Sequence, residues 1–201
     1  MPASNVAIID SGGANIASLQ FALQRLGADS MLTTAEDRIR SASHVILPGV
    51  GAACDAMRRL KDNNLGELIK TLTQPVLGIC LGMQLLVERS EEDDTDCLGI
   101  IPGIARKMSG SQQTPVPNMG WCRISTTRNH DLLQNIDDGS YFYFVHSYAL
   151  PVQDCTLATA SHADDFTSIL ALRNFHATQF HPERSAAAGA QLLHNFLQLR
   201  A

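Results

Sequence analysis

Cys80 sits in Gly78-Ile79-Cys80-Leu81-Gly82, a G-x-nucleophile-x-G pattern that follows an apolar run and precedes a helical one. This is the setting of a nucleophile elbow, a strand-to-helix turn that thrusts one side chain out of the backbone. The glycines would let the chain turn tightly and leave room beside the sulfur. The helix N-terminus behind Cys80 carries positive partial charge, which suits a sulfur that attacks as thiolate. The N–H of Leu81 would point at the oxyanion formed when sulfur adds to a carbonyl. Taken alone, the motif fits a small buried core cysteine equally well. Cys54, Cys97, Cys122 and Cys155 lack this setting and read as structural.

A base for that nucleophile is offered by Phe180-His181-Pro182-Glu183. Pro182 biases His181 towards extended backbone, where residues two apart face the same way. Glu183 would then hold the His181 imidazole in one tautomer, as the third member of a triad does. His181 would deprotonate Cys80 and later protonate a leaving amine. A surface histidine near a glutamate is more often incidental; paired with the elbow, the triad becomes the better reading. A third feature is Pro48-Gly49-Val50-Gly51, a glycine-flanked turn that can offer backbone N–H groups to an anion. Alone it would be a plain turn.

These residues need a scaffold. Val6–Ile9, Val45–Leu47 and Pro75–Ile79 are short apolar runs, with Met31-Leu32 a weaker one. Between them lie helical patterns: Ile16, Leu19, Leu23 and Leu26 on one face and stopped by Gly27, then Ala52 to Leu60, Leu65 to Leu72, and Leu81 to Glu88. Strand, turn and helix alternate through the first 90 residues, which predicts an α/β domain with a mostly parallel central sheet flanked by helices. Ligands collect at the carboxyl ends of strands in such sheets, where the Cys80 elbow and the Gly49–Gly51 turn would both lie. Tyr141–Val145, Ser168–Leu172 and Phe175–Phe180 read as antiparallel additions in the second half. A final helix has Ser185 as its N-cap and Leu192, Leu193, Phe196 and Leu197 on its core face. The acidic run from Ser90 to Asp96 reads as a solvated loop, because its spacing matches no calcium loop. With no repeat or linker, residues 1–201 read as one domain.

Composition narrows the function. The 201 residues are 45% hydrophobic and 17% charged, enough apolar material for a buried core and too little charge for wholesale disorder. A formal net charge of -5 without a Lys/Arg cluster argues against nucleic-acid partners. No signal peptide follows Met1-Pro2-Ala3-Ser4-Asn5, and no run reaches the roughly 20 apolar residues of a membrane span. The 5 cysteines are scattered, which points to the reducing cytoplasm and against a disulfide framework. Asp10-Ser11-Gly12-Gly13 lacks the G-x-G-x-x-G fingerprint of dinucleotide sites. His44, His130, His162, His176 and His194 fall in no ligand spacing and read as surface or satisfied histidines, so neither a metal nor a cofactor is expected.

The chain as a whole resembles the glutaminase subunits of imidazole glycerol phosphate synthase, which are class I (triad) glutamine amidotransferases. The resemblance rests on Ile8-Ile9-Asp10 with Asn15, Leu47-Pro48-Gly49-Val50-Gly51, Gly78 to Gln84, Met119-Gly120-Trp121, Tyr143-Phe144-Val145-His146-Ser147-Tyr148, and Gln179 to Ser185. It implies Cys80 as nucleophile, His181 as base and Glu183 as its orienter. It implies that backbone groups of Gly49, Val50, Gly51 and Leu81, with Gln84 and His146-Ser147-Tyr148, hold L-glutamine and its oxyanion. Asn15, Trp121, Tyr143 and Arg184 would face a (β/α)8-barrel cyclase subunit that receives the ammonia in histidine biosynthesis. The chain departs from the family at Asn118 and Cys122, where His and Asn are common, and at Ser11, Gly13 and Ala14. The rival readings are the glutaminase subunit of another synthase, such as pyridoxal phosphate synthase, and a non-catalytic module of the same fold. The M-G-W and Y-F-V-H-S-Y segments weigh against the first, and the intact triad against the second.

Overall fold

In the computed structural model, residues 4–12 and 15–200 are described. Gly13, Ala14 and the N-terminal Met1, Pro2 and Ala3 lie outside that set. The runs at Val6–Ile9, Val45–Leu47 and Pro75–Ile79 form strands that bury both faces, whereas the weaker Met31-Leu32 run lies in an exposed edge strand. Val6 and Ile8 of β1 (Asn5–Ile9) join one core cluster, and Ala7 and Ile9 join the other. This period-two division is what a central parallel strand covered on both sides requires.

The first half alternates as predicted: β1, α1 (Ile16–Arg25), β2 (Asp29–Thr33), α2 (Glu36–Ser41), β3 (His44–Gly49), α3 (Ala53–Asp62), α4 (Leu65–Lys70), β4 (Val76–Cys80) and α5 (Leu81–Leu85). Then come β5 (Val87–Ser90), β6 (Thr95–Asp96), β7 (Ile101–Lys107), β8 (Asn118–Thr126), β9 (Tyr141–His146), β10 (Tyr148–Ala149), β11 (Thr156–Ser161), β12 (Asp165–Leu172), β13 (Phe175–Thr178) and α6 (Ala186–Gln198). The main sheet has the order β2-β1-β3-β4-β13-β12-β11-β8-β9. Its β2 to β13 half is parallel, and β12, β11, β8 and β9 extend it antiparallel. A second sheet runs β10-β7-β5-β6. Side chains of α3, α4 and α5 cover one face of the main sheet, and those of α1 and α6 the other.

Four local expectations change. The helix after Cys80 ends at Leu85 rather than near Glu88, and Val87–Ser90 is a strand beside β7. Leu81 to Val87 are all buried, so apolar periodicity could not mark the switch. The segment expected as an antiparallel addition at Phe175–Phe180 is a strand over Phe175–Thr178 that is antiparallel to β12 but parallel to β4, joining the two halves of the sheet. The acidic run is not simply solvated, because Glu92 Oε2 accepts the Ala53 N–H at 2.8 Å at the start of α3. Ser185 flanks α6, but its side chain makes no cap bond there. Its hydroxyl donates to the His181 carbonyl at 2.7 Å and accepts the Tyr143 N–H at 2.9 Å.

Candidate active site

Three strand ends build the site. β4 ends at Cys80, whose φ of 54° and ψ of −110° place it in the left-handed half of backbone space. A non-glycine residue there is strained, and such strain collects at functional positions. Neighbouring glycines make the turn possible. A Cβ on Gly82 would lie 1.8 Å from the Leu47 carbonyl oxygen, and one on Gly78 would lie 2.9 Å from the Gly82 carbonyl oxygen. β3 ends at Gly49, the register partner of Cys80. The chain after β13 carries Gln179 to Glu183. Phe180 anchors it in the core, stacked on Phe142 at 4.0 Å and edge-on to Phe144 at 5.4 Å.

His181 Nδ1 lies 2.9 Å from Glu183 Oε1, with side-chain exposures of 8% and 6%. The His181 N–H donates to the Tyr143 carbonyl at 3.0 Å. Burial pulls the imidazole pKa down, but the partnership with Cys80 and then with Glu183 outweighs it and holds it above the ordinary value. The Nε2 atom is buried and has no partner of good hydrogen-bond geometry among the described residues. Cys80 is nonetheless near enough to raise the ring's proton affinity. Loose nucleophile–base geometry is common where no substrate is bound. The Cys80 sulfur also receives the Gln179 side-chain amide at 3.8 Å and lies 3.7 Å from the Val145 carbonyl.

A cavity of about 270 Å³ opens over the sulfur. Its lining brings together Cys80, His181, Val50, Gly51, Leu81, Gln84, His146, Ser147 and Tyr148. Gly49 does not line it; Gly49 packs behind, where an added Cβ would lie 2.9 Å from Leu81 Cβ. Gln84 donates from Nε2 to the Tyr148 carbonyl at 2.9 Å and to Gln179 Oε1 at 3.2 Å. Glu92, Pro117 and Val145 complete the wall without having been singled out in the sequence, and Gln179 touches the sulfur although it appeared only as part of a motif. For Gln179 a signal existed, since it lies two residues before His181. Glu92 was hidden among five acidic residues of similar context. A larger groove of about 850 Å³ between α3, α4 and β6 pairs no cysteine with a histidine.

Three of the four residues assigned to a partner, Trp121, Tyr143 and Arg184, touch one another. Trp121 and Met119 are 51% and 64% exposed. Trp121 meets Tyr143 edge-on at 6.0 Å, and the Arg184 guanidinium lies 4.3 Å over the Tyr143 ring. Asn15 caps α1, accepting the Ser18 N–H at 3.4 Å. Elsewhere, His44 and His176 prove buried rather than superficial. His44 is satisfied by Ser43 and the Leu199 carbonyl, whereas His176 Nδ1 has no partner among the described residues. Among the described residues no helix is long and apolar enough to cross a membrane.

Fold and site together are those of an α/β protein with a cysteine elbow facing a histidine–glutamate pair. The family description "Glutamine amidotransferase class-I" matches residues 7–199, and the chain belongs to that family. Among its curated relatives is the imidazole glycerol phosphate synthase subunit HisH 2 of Legionella pneumophila (strain Paris), 49% identical over 196 residues and covering 98% of each chain. HisH of Pectobacterium atrosepticum is 48% identical over 195 residues, covering 96% of this chain and 99% of its own. HisH of Xylella fastidiosa is 46% identical over 198 residues, covering 98% and 99%. Among solved structures, a putative GMP synthase protein from Thermoplasma acidophilum shares the fold with a TM-score of 0.75 at 18% identity, covering 98% of this chain and 94% of that one. A glutamine amidotransferase from Thermotoga maritima does so with a TM-score of 0.70 at 15% identity, covering 98% of each.

Proposed function

We propose that residues 1–201 form one amidotransferase domain, the glutaminase subunit of an imidazole glycerol phosphate synthase, which hydrolyses L-glutamine and passes the ammonia to a (β/α)8-barrel cyclase in the cytoplasm. The observation that carries this reading is that a buried His181, paired with Glu183 behind it, opens onto the same cavity as a cysteine held at positive φ. His181 takes the proton of Cys80, and the sulfur adds to the side-chain carboxamide of glutamine. The backbone N–H of Leu81, with those of the Gly49–Gly51 turn, stabilises the tetrahedral oxyanion; one such donor is worth about 10²–10³ in rate. His181 then protonates the departing ammonia, leaving a thioester on Cys80. Water, deprotonated by His181, cleaves the thioester and releases glutamate. Glu183 keeps the imidazole oriented throughout.

Substrate selection follows from the lining. Gln84, Ser147 and Tyr148 offer polar atoms around the cavity, and the Glu92 carboxylate has the charge to meet an α-ammonium group. Ammonia leaves towards the face of Trp121, Tyr143, Arg184 and Asn15, where an aromatic, partly cationic surface suits a protein partner. Without that partner the subunit turns over little, because Val50 and Gly51 sit in a loop that partner contact can reorder. The decisive experiment is a glutaminase assay of wild type and Cys80→Ala, each with and without candidate barrel cyclases. Wild-type activity should require the cyclase, and Cys80→Ala should show none; a Cys80→Ala protein that hydrolyses glutamine at the wild-type rate removes the assignment.

A further inference from the structure

Asn118 and Cys122, two positions where the chain departs from its family's pattern, touch each other and reach the cavity wall. Cys122 Sγ lies 3.5 Å from Asn118 Oδ1, and Asn118 Nδ2 lies 3.2 Å from His146 Nε2. Across the ring, His146 Nδ1 lies 3.0 Å from the Tyr148 carbonyl. Asn118 is 2% exposed and His146 6%. A carbonyl oxygen only accepts, so Nδ1 carries the proton. Nε2 of the neutral ring is then a lone pair and must accept. That orients the Asn118 amide, with NH₂ towards the ring and Oδ1 towards the Cys122 S–H. One polarity runs from Cys122 through Asn118 and His146 to the Tyr148 carbonyl without a clash of donors or acceptors. The same carbonyl receives Gln84 at 2.9 Å, and Gln84 in turn donates to Gln179, which touches the Cys80 sulfur.

We infer that Asn118 is a positioning residue that holds His146 as the neutral Nδ1–H tautomer and so keeps a positive charge out of the wall of the glutamine cavity. The second half of this statement rests on the glutaminase reading; the tautomer does not. The ring has aromatic neighbours in Phe144 and Phe166. The titratable groups around it are His181 from the turn after β13, His162 from the β11–β12 loop, Tyr148 two residues on, Glu92 and Cys80 across the cavity, and Cys122 behind Asn118. Burial brings the His146 pKa down to about 4 against the pull of the Tyr148 carbonyl, and His162 and His181 add to the lowering. A second imidazolium here would repel the one that forms at His181. Asparagine cannot ionise, so this chain's wall has one fewer titrating group than a histidine at 118 would give it.

The test is long-range ¹⁵N–¹H NMR of the imidazole rings with a matched kinetic series. In wild type, His146 should show a protonated Nδ1 and a bare Nε2 from about pH 5.5 to 8. Asn118→Asp replaces the NH₂ donor with an acceptor, so the ring must take a second proton. Its titration should move into the neutral range. KM for glutamine should rise about tenfold near pH 6.5 and recover as pH increases, with kcat changing less. Asn118→His can still donate an N–H to Nε2 but adds a titrating ring, so its KM should rise less than that of the aspartate variant and only on the acid side of neutrality. Should the aspartate variant fail to fold, Asn118→Leu serves: it frees the ring's orientation but adds no charge, so KM should rise without pH dependence. A protonated Nε2 in wild type, or an Asn118→Asp enzyme with unchanged KM at every pH, overturns the inference. A correct tautomer in a protein that never hydrolyses glutamine would instead sink the glutaminase reading.

Discussion

Replacing Glu183 by glutamine tests the triad with almost no change in shape. Glu183 Oε1 lies 2.9 Å from His181 Nδ1 in a nearly dry site. Hydrogen bonds to charged groups contribute about 1.5–3 kcal/mol, which is roughly 10- to 150-fold in the stability of the imidazolium. A glutamine amide can also turn its NH₂ towards Nδ1. That would force the proton onto Nε2, where it blocks acceptance of the Cys80 proton; a wrong tautomer of this kind costs up to about 10⁴. The expected result for Glu183→Gln is therefore a kcat lower by about 10²–10⁴, measured as glutamate release in the presence of the cyclase. KM should hardly move, because Glu183 does not line the cavity over Cys80. Stability supplies a second readout. His181 binds its proton more tightly folded than unfolded, so its stabilisation is full below about pH 6.5 and is lost as pH rises through the elevated folded value. The stability gap between wild type and variant should be widest on the acid side of neutrality and close in alkali. A kcat near wild type, or a gap that ignores pH, refutes the assigned role of Glu183.

Other perturbations probe other links. Cys80→Ala should lose glutamine-dependent synthesis while the complex still works from added ammonia; loss of both would mean that Cys80 serves the fold or the docking face. Gly82→Ala drives a Cβ to 1.8 Å from the Leu47 carbonyl oxygen and should cost about 1–3 kcal/mol or more, read as a fall in Tm; an unchanged Tm contradicts the packing of the elbow. Burial lowers His146 and His176 to about 4 each. Their contribution is present above about pH 6.5 and declines as pH falls towards 4, so urea midpoints should drop across that window; a flat profile counts against the burial of both rings. Trp121→Ala should weaken capture by the barrel cyclase without lowering Tm, and equal affinity would remove Trp121 from the docking face.

Much of this architecture was legible because burial and chemistry left distinct marks. β1, β3 and β4 read as continuous apolar runs since both faces are covered, and the glycines around Cys80 announce a turn that bulkier residues would obstruct. Pairs two residues apart, such as His181 and Glu183, were also visible. What stayed hidden depended on long-range packing. The short α5 merges into β5 through a stretch buried on every side, so neither period dominates. Nothing in Phe175–Thr178 says that it will lie beside β4, a hundred residues earlier in the chain. Ser185 has the residue type of a helix cap, yet the His181 carbonyl and the Tyr143 N–H claim its hydroxyl.

The carboxylate of Glu92 has two masters. One oxygen secures the opening turn of α3 through the Ala53 amide, and the same side chain forms part of the cavity wall. A helix and a ligand thus compete for a single charge. Any ligand that drew this group inward would loosen the start of α3, a helix that also lines the α3–α4 groove. Occupancy of the cavity over Cys80 would then be felt in the neighbouring groove, which Asp93 lines, and damage at position 92 would register at once as a weaker helix and an altered cavity wall.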